Sequence, residues 1–520
     1  MSAFYLTTAI DYANGDPHIG HAYEKIGADA IARYRRLRGD DVHFLIGMDE
    51  HGQKVAQAAE QRGLTPQQQV DEVAERFQAM WRSLGISYDQ FMRTTDDRHK
   101  SGVRALIKRI FDNNPDDFYE HSYTGWYCVG CEAFKQESEI VDGKCVLHPT
   151  RTLEWVEERN WFFRLSKYAG FLKRLLTERP EFLQPETRRN EMLALLEYGL
   201  EDTSASRSRV SWGVPFPAPL SNGETQTTYV WWDALPNYLT GTGFPSKEYK
   251  ARWPAQLHVV GKDINRFHSI IWPAMLQAAE LPLPERVWVH GFVLFSGERF
   301  SKSAGVKLDL PEAIERFGPD AFRYFLLREV PFDTDGSFSW ERFEQVYVSE
   351  LANSWGNLGS RAIAMIEKYF AGIVPAAAAN DVDRADAAEL DLYHAAMDGS
   401  RGYLLHEALR RVMASVTRGN EFVQTSQPWA LAKSPEKRAE LEEALAALAR
   451  TLARQCVMLF PFVPTKAQAL WTQLGAPGRI EDQRFDALMK LDATGWKVRK
   501  GEPLFPKPPA TPLVPPVTAS

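Results

Sequence analysis

The sequence predicts an α/β fold in which a parallel sheet is split by a small insertion and followed by an all-helical region. The first fifty residues read as strand, helix and strand, which indicates parallel strands because the helix makes the crossover. A short aromatic, Cys-bearing stretch interrupts this pattern between about residues 118 and 149, and helical spacing dominates from about Pro311 onward.

The first unit consists of two apolar strands, "FYLTTAI" and "DVHFLIGMD", with a helix between them. Asp16 is a suitable N-cap and Pro17 suits the first helical position, so the helix is predicted to begin there. The first turn lacks the glycine-rich dinucleotide fingerprint. Apolar residues recur through the helix at Ile19, Tyr23, Ile26, Ala30, Tyr34 and Leu37.

The later elements follow in chain order. Helices are predicted around residues 66–84 and 101–113, and strand and helix patterns resume at "QLHVVGKD", "INRFHSIIWPAMLQAAE" and "RVWVHGFV". Further helices are predicted at "PEAIERF" and "DAFRYFLLREV", and over residues 341–370, 384–425 and 437–458. The final "PLFPKPPATPLVPPVTAS" is Pro-rich and predicts an extended or disordered tail.

Composition narrows the class of protein. At 520 residues, with 44% apolar and 25% charged residues, the chain should form roughly three or four globular domains. The net charge of −7 argues against a sequence-blind DNA coat but leaves a local nucleic-acid patch open. The chain shows no signal-peptide pattern, no run of about 18 apolar residues and only four cysteines. We therefore expect a cytoplasmic protein without a membrane span.

The stretch "NGDPHIGH" places His18 and His21 three residues apart at the predicted helix start. A helix N-terminus attracts phosphate, and two imidazoles beside it could donate hydrogen bonds to a phosphoryl group whose negative charge grows. The alternative is a pair of surface histidines that only flank the cap.

The stretches "CVGC" and "CVLH" carry two pairs of metal-ligating residues, Cys128 with Cys131 and Cys145 with His148. This spacing predicts one tetrahedral Zn²⁺ site. Because protein would fill all four positions, the metal would be structural and could supply folding energy to a short insertion. The alternative is four unrelated residues. Cys456 lies in an apolar helical run and is expected in the core.

Two further stretches combine charge with aromatic residues. In "GMDEHGQK", Asp49 follows a predicted strand, where ligands of parallel sheets bind, and could pair with a ligand's ammonium group. In "YVWWDALPNY", aromatic residues and Asp233 could form a wall that carries one carboxylate and suits a thioether. A charged loop and a buried aromatic segment are the respective alternatives.

The stretch "GERFSKSAG" places Ser301, Lys302 and Ser303 between two glycines. Its hydroxyls and cations suit phosphate, although the G-x-x-x-x-G-K-[ST] frame does not fit it. A polar surface turn is the alternative.

Together these motifs resemble those of methionyl-tRNA synthetases, a family of class I aminoacyl-tRNA synthetases. "HIGH" is similar to the class signature, and "RFSKS", about 280 residues later, is similar to its KMSKS loop. The zinc knuckle, "DEHG", "YVWWDA" and "GKDINRFHSIIWPAML" are similar to motifs of the methionine family. The resemblance extends from Phe4 to about Pro503. It implies a Rossmann-like catalytic domain split by a zinc-knuckle insertion, and an anticodon-binding helical bundle.

The resemblance implies a methionine–tRNA ligase that serves both initiation and elongation of translation. Methionine would attack ATP, with Mg²⁺ present, and the methionyl-adenylate would then pass methionine to the 3′ end of tRNA(Met). His18 and His21 would contact the ATP phosphates, and Lys302 would bring a positive charge to the departing pyrophosphate. The other implied ATP-binding residues are Gly261, Asp263, Ser301 and Ser303.

The resemblance also places a methionine pocket. Asp49 would hold the methionine ammonium, and one weak donor, from Tyr238 or His268, would meet the thioether. Shape must supply most of the selectivity, since one methylene is worth only about 1–3 kcal/mol. The remaining implied pocket residues are Ile10, Tyr12, Trp231, Ala234 and Ile264.

In the helical region the resemblance implies anticodon recognition by Asn357, Arg361 and Trp429. Asn357 and Arg361 lie four residues apart on one helical face, and Trp429 could stack on an unpaired base. A helix-end residue that packs after Pro428 is the alternative for Trp429.

The expected domain boundaries follow from these assignments. They are catalytic halves at 1–113 and 224–293, a connective insertion with the knuckle at 114–223, a stem-contact region with the KMSKS-like loop at 294–345, a helical anticodon-binding domain at 346–500, and a Pro-rich tail at 501–520. No appended tRNA-binding, dimerising domain is recognised, so we expect a monomer.

The loop departs from the family pattern. Arg299 and Phe300 stand where Lys-Met is usual, and Ala304 stands where lysine is common, although Lys302 is retained. Three rival functions are an adenylating paralogue that does not charge tRNA, a catalytically inactive tRNA-binding protein, and a cysteinyl-tRNA synthetase. The anticodon residues disfavour the adenylating paralogue, and the retained histidines and Lys302 disfavour the inactive protein. The four-ligand metal set disfavours the cysteinyl-tRNA synthetase.

Overall fold

The computed structural model describes residues 2–128, 133–135, 137–146, 148–208, 210–295, 298–299 and 310–506. Within this part of the chain, no helix is long and apolar enough to cross a membrane. The first segment of the chain alternates strands and helices as predicted. It comprises β1 (Ala3–Thr8), β2 (Asp11–Tyr12), α1 (Ile19–Arg38), β3 (Asp41–Asp49), α2 (Gln53–Gln61), α3 (Pro66–Ser83), β4 (Gln90–Arg93) and α4 (Asp97–Asn113).

The middle of the chain contains mostly short strands, which form small antiparallel sheets except for β11, which joins the central sheet. Its elements are β5 (Phe118–Cys128), β6 (Ala133–Lys135), β7 (Ile140–Val141), β8 (Lys144–Cys145), β9 (His148–Thr152), β10 (Glu154–Phe163), α5 (Ala169–Glu178), β11 (Leu183–Gln184), α6 (Glu186–Tyr198), β12 (Thr203–Ser204), β13 (Ser206–Arg207) and β14 (Thr227–Thr228).

The α/β pattern then resumes and completes the α/β region. The elements are α7 (Val230–Ala234), α8 (Asn237–Thr240), β15 (Leu257–Gly261), a π-helical segment (Phe267–Ile271), α9 (Trp272–Ala278), β16 (Val287–His290), β17 (Val293–Phe295) and β18 (Glu298–Arg299).

Helices dominate the last part of the described chain, as predicted. They are α10 (Leu310–Phe317), α11 (Pro319–Glu329), α12 (Trp340–Val346), a π-helical segment (Tyr347–Gly356), α13 (Asn357–Phe370), α14 (Asp381–Met397), α15 (Leu405–Ser426), α16 (Pro428–Leu431), α17 (Arg438–Leu459), α18 (Pro464–Gln473) and α19 (Phe485–Leu488), with one short strand, β19 (Gly336–Phe338).

The helical pattern predicted over 384–425 is divided between two helices, because the chain turns between α14 and α15. Gly399 and Gly402 take φ values of 81° and 92° there, a backbone conformation that residues other than glycine rarely adopt. A Cβ at Gly399 would also meet Arg286 Nη1 at 2.4 Å. The turn therefore requires glycine both for backbone conformation and for space.

The central sheet is parallel, as predicted, with strand order β11-β16-β15-β1-β3-β2 and β4 paired with β3. Alternate residues of β1 face opposite sides: Phe4 and Leu6 join one buried cluster, and Tyr5 joins the other. Both faces are covered, as parallel sheets require. The edge strand β11 comes from within the predicted 114–223 insertion, whose boundaries stay a prediction.

One arginine links the α/β region to the helical region. Arg323, in α11, is fully buried and forms an ion pair of 2.6 Å with Asp29 Oδ2 in α1. Its guanidinium also donates to the carbonyls of Pro461 and Phe462, at 2.8 and 3.0 Å, beyond the end of α17. The helical bundle is thus attached directly to α1, which begins within "HIGH".

Candidate active site

The helix α1 begins two residues later than predicted, because histidines rather than Asp16 cap it. His18 is the N-cap, and its Nδ1 accepts from the Gly20 amide at 3.1 Å. The Nδ1 of His21 accepts from the His18 amide at 3.3 Å, which completes a reciprocal capping box. The carboxylate of Asp16 pairs instead with Arg76, at 2.6 Å.

The capping bonds determine which way each imidazole can donate. An Nδ1 that accepts a hydrogen bond in a neutral ring leaves the proton on Nε2. The two rings stack with centroids 3.6 Å apart, which keeps both imidazoles beside the helix N-terminus. Both histidines line a cavity, where this arrangement suits a phosphate group.

The cavity has a volume of about 870 Å³ and lies beyond the carboxyl ends of the parallel strands. It is within the size range of small-molecule sites, about 300–1,000 Å³. It brings together every described residue for which the sequence predicted ATP or methionine contact, namely Ile10, Tyr12, His18, His21, Asp49, Trp231, Ala234, Tyr238, Gly261, Asp263, Ile264 and His268.

Asp49 lies at the end of β3, beside Tyr12 of β2 in the parallel register. Its side chain is buried but lines the cavity. A carboxylate in this place can hold a cation, because charges interact more strongly where water is excluded. This position agrees with the predicted ammonium-binding role, which stays a prediction.

The aromatic wall of the cavity has a partner that sequence reasoning missed. The ring of Phe267 stacks on Trp231 with centroids 3.6 Å apart and planes 8° apart. The Tyr12 ring also meets the Trp231 ring, edge-on, with centroids 6.4 Å apart. Phe267 stood in the quoted "GKDINRF" segment, but its π-helical setting had no signal in the sequence.

Tyr238 and His268 form a buried pair, with Oη and Nε2 2.6 Å apart. His268 Nδ1 lies 3.0 Å from the Ile264 carbonyl, so Nδ1 carries the proton and Nε2 accepts from the tyrosine. Burial lowers the pKa of His268 to about 4, so the ring is neutral. In this geometry the tyrosine hydrogen points at the histidine rather than into the pocket.

Gly261 and Asp263 lie at the end of β15, on the side away from β3. A Cβ at Gly261 would come within 2.8 Å of the Asp263 carboxylate, so glycine here provides room for that side chain. Asp263 is exposed at the cavity edge, as a group that meets a ribose would need to be.

A buried charge cluster beneath the cavity was also missed. Lys25 Nζ donates to the Ala9 carbonyl, Asp11 Oδ1 and Glu24 Oε1, all at 2.8–2.9 Å. The other oxygen of Glu24 lies 3.1 Å from His290 Nε2. Alternating charge within an apparent helical pattern normally indicates a solvated face, so only packing could reveal this cluster.

The insertion contributes a cation to the cavity wall. Arg207 of β13 is buried, and its guanidinium lies 4.1 Å from the centroid of the Tyr229 ring. It also donates to the Ser206 carbonyl at 3.1 Å. Its place among the lining residues could not be derived from a local motif.

The structure gathers part of the predicted zinc set. Cys128 and Cys145 are buried in one small cluster with Leu153. Cys145 also pairs in register with His148 across the β8–β9 hairpin. Cys131 and the side chain of His148 lie outside the described part, within which no group of three metal-ligating side chains occurs.

The predicted phosphate-binding loop cannot be placed. Ser301, Lys302, Ser303 and the departures Phe300 and Ala304 lie outside the described residues. The described chain resumes at α10.

The predicted anticodon residues lie on the helical region. Asn357 is exposed at the first turn of α13, Arg361 is half-buried one turn later, and Trp429 of α16 is 38% exposed. Leu358 of α13 packs against Gly419 of α15 and fills the space that a Cβ there would need. The helix α13 therefore lies against the helix that leads to Trp429. All three residues are thus available to a partner.

The chain matches one family model, described as tRNA synthetases class I (M), over residues 4–152 and 135–363. It is 42% identical over 513 residues to the methionine–tRNA ligase of Caldanaerobacter subterraneus subsp. tengcongensis, which covers 97% of this chain and 78% of the relative. It is 41% identical over 521 residues to the methionine–tRNA ligase of Thermosynechococcus vestitus, with 97% of each covered.

Solved structures are similar over nearly the whole chain. The Mycobacterium tuberculosis methionyl-tRNA synthetase in complex with methionyl-adenylate has a TM-score of 0.91 and 39% identity, and covers 97% of this chain and 100% of that one. Its free-state crystal structure has a TM-score of 0.84 and 37% identity, over 98% and 99% of the chains.

The pH dependence of stability should report the neutral state of His268. An unfolded histidine takes up a proton near pH 6.5, whereas His268 resists protonation down to about pH 4. Folding stability should therefore fall as the pH drops through this window, by about 2–3 kcal/mol for this residue.

The change His268→Gln should remove that contribution, as measured by denaturant unfolding at pH 7 and pH 4.5. The control His121→Gln, at an exposed position, should keep the wild-type pH dependence of stability. An equal change in unfolding free energy between pH 7 and pH 4.5 for wild type and H268Q would contradict the expectation.

Proposed function

The chain belongs to the methionine–tRNA ligase family of the class I tRNA synthetases, and from this we propose that it activates methionine with ATP and transfers it to tRNA(Met). The observation that carries the proposal is the cavity, which gathers every described residue predicted to contact either substrate. The proposed reaction serves both initiation and elongation.

In the first step, a carboxylate oxygen of methionine attacks the α-phosphorus of ATP. The bond from that phosphorus to the bridging oxygen breaks, giving methionyl-adenylate and pyrophosphate. In the second step, the 2′-hydroxyl of the terminal adenosine attacks the methionyl carbonyl, and AMP leaves. Neither step requires a covalent bond to the enzyme, so positioning and electrostatics supply the catalysis.

We propose a role for each site residue, and the position of the described ones in the cavity wall supports it. His18 and His21 donate from Nε2 to ATP phosphates at the N-terminus of α1, and Lys302 neutralises the pyrophosphate. Mg²⁺ accompanies ATP and would neutralise phosphate charge when bound. Gly261 and Asp263 meet the adenosine, assisted in ATP binding by Ser301 and Ser303.

The methionine side chain enters between the aromatic wall and the Tyr238–His268 pair. Asp49 holds the ammonium, and Ile10, Ala234 and Ile264 limit the length of the side chain. Because the tyrosine hydrogen is engaged by His268, contact and shape supply most of the recognition.

We also propose that Cys128, Cys131, Cys145 and His148 hold one structural Zn²⁺. The shared cluster of Cys128 and Cys145, and the pairing of Cys145 with His148, support the site. Thiolate and imidazole are the donors zinc prefers, and the metal would stabilise the small strands around it.

We propose that Asn357, Arg361 and Trp429 contact the anticodon, a proposal supported by the exposure of Asn357 and Trp429 and the half-buried position of Arg361. Stacking on Trp429 would be worth about 1–3 kcal/mol per base. We propose that the protein acts as a monomer. Its proposed location is the cytoplasm, because tRNA and the other substrates of translation are found there.

The decisive experiment is ATP–pyrophosphate exchange with each of the twenty amino acids, followed by charging of bulk tRNA. Methionine should stimulate exchange and become attached to tRNA, and cysteine should do neither. Exchange without charging would favour an adenylating paralogue. Absence of methionine-dependent exchange would overturn the proposed function.

The change Lys302→Ala should lower kcat for exchange by about 10²–10³, because a charge that meets the leaving group acts in the transition state. The KM for methionine should stay within about two-fold, since Lys302 is not assigned to that pocket. Lys307→Ala supplies a control of the same residue type in the same stretch of sequence. A large rise in the methionine KM at unchanged kcat would refute the assigned role.

Metal analysis of the purified protein should find about one zinc per chain. The change Cys145→Ser should release it and lower the thermal midpoint, because a ligand and its folding energy are lost. Cys456→Ser, at a buried cysteine in α17, should retain zinc. A wild-type protein without zinc would contradict the site.

A further inference from the structure

The carboxylate of Asp233 is held between two histidines behind the methionine pocket. Its Oδ2 lies 2.6 Å from His51 Nδ1, and its Oδ1 lies 2.9 Å from His99 Nε2. All three side chains are at most 3% exposed. The sequence suggested that this carboxylate would belong to the aromatic wall, but it lies outside the cavity lining.

The hydrogen-bond geometry fixes where the protons are. His99 Nε2 faces both the carboxylate and the backbone carbonyl of Asp233, at 2.9 and 3.0 Å, so it must be the donor. Burial alone would raise the pKa of Asp233, but the charges and hydrogen bonds of His51 and His99 outweigh it and hold that pKa well below its usual range. The carboxylate therefore stays ionised and accepts from both rings.

These bonds join three elements around the pocket. His51 lies two residues after Asp49, at the end of β3, and His99 lies in α4. Asp233 lies in α7, two residues after Trp231 and one before Ala234. Residues two apart in a helix point to nearly opposite sides, so Trp231 faces the cavity while Asp233 faces the histidines.

The packing around the carboxylate leaves little freedom. His99 Nδ1 lies 2.8 Å from the Thr240 hydroxyl in α8, and a Cβ at Gly102 of α4 would come within 2.3 Å of Thr240 Cγ2. On the other side, the His51 ring meets the Trp212 ring edge-on at 5.4 Å, and Trp212 Nε1 donates to the Glu50 carbonyl at 2.7 Å. The cluster connects the ammonium-binding side of the pocket to the aromatic wall.

We propose that Asp233 is a positioning residue for methionine, which fixes the distance between Asp49 and the wall that carries Trp231 and Ala234. The proposal rests on the proposed methionine activation. A thioether offers little polarity, so recognition depends on shape, and a displaced wall weakens the contacts that bind the methionine side chain. The ATP side of the cavity, on α1 and β15, is not joined by this cluster.

The test is Asp233→Asn, assayed by ATP–pyrophosphate exchange. An amide can accept from only one histidine and presents a donor to the other, so one of the two bonds is lost. We expect the methionine KM to rise about tenfold or more, with the ATP KM within about two-fold and kcat within about three-fold. The thermal midpoint of each variant is measured alongside.

Asp386→Asn is a matched control in the helical region. Asp386 is also buried and accepts from Ser415 and Thr451, both at 2.9 Å. It should lower stability while leaving both KM values unchanged. This separates a specific effect on the pocket from general destabilisation.

Thr240→Val removes the hydroxyl that meets His99 while leaving the carboxylate in place. It should raise the methionine KM by a smaller factor, and it decides the question if D233N does not fold. A methionine KM within two-fold of wild type, or a parallel rise in both KM values, would overturn the positioning role. Wild-type protein without methionine-dependent exchange would instead overturn the proposed function.

Discussion

The buried ammonium of Lys25 is the interaction on which the floor of the cavity depends. Its side chain has no exposed surface, and removing such a charge from water costs several kcal/mol unless partners replace the water. The Ala9 carbonyl and the carboxylates of Asp11 and Glu24 replace it. Glu24 lies in α1, Ala9 lies just before β2 and Asp11 lies in β2, so the lysine sets the distance between the capped helix and the pocket strand.

The same cluster extends to the nucleotide side of the sheet. Glu24 meets His290 at the end of β16, and His290 is the register partner of Gly261 on β15. Burial raises the pKa of Asp11 to about 6 despite the neighbouring lysine. A site that works by positioning gains from such a floor, because electrostatic interactions strengthen where water is excluded.

A second buried charge joins the catalytic half to the helical half. Arg323 contacts Asp29 in α1 and two carbonyls beyond α17, so the helix that presents His18 and His21 is also part of the interface with the bundle. The predicted anticodon residues lie on that bundle. The two regions are therefore one packed body in the part of the chain that the structure describes, rather than domains joined by a linker alone.

Much of the fold could be predicted because its signals are local. Strand β3 coincides with the quoted "DVHFLIGMD", and the six apolar positions predicted for α1 are all buried. The predicted start of α1 was wrong. By sequence alone Asp16 could cap the helix, whereas in the structure its carboxylate binds Arg76, 60 residues away. The pocket residues were found through motifs, but the sequence could not say that Tyr238 and His268 bond to each other.

The chain's periodicity and motif spacing were enough to define the parallel sheet, the helical region and the chemical classes of the site. Those features depend on neighbours a few residues apart, which a sequence displays directly. Folding decided which charges are buried and which face the cavity: Lys25 beneath the floor, Arg207 in the wall, and Asp233 behind it. Such outcomes depend on groups brought together from distant parts of the chain, and on the cost of leaving any of them unpaired away from water.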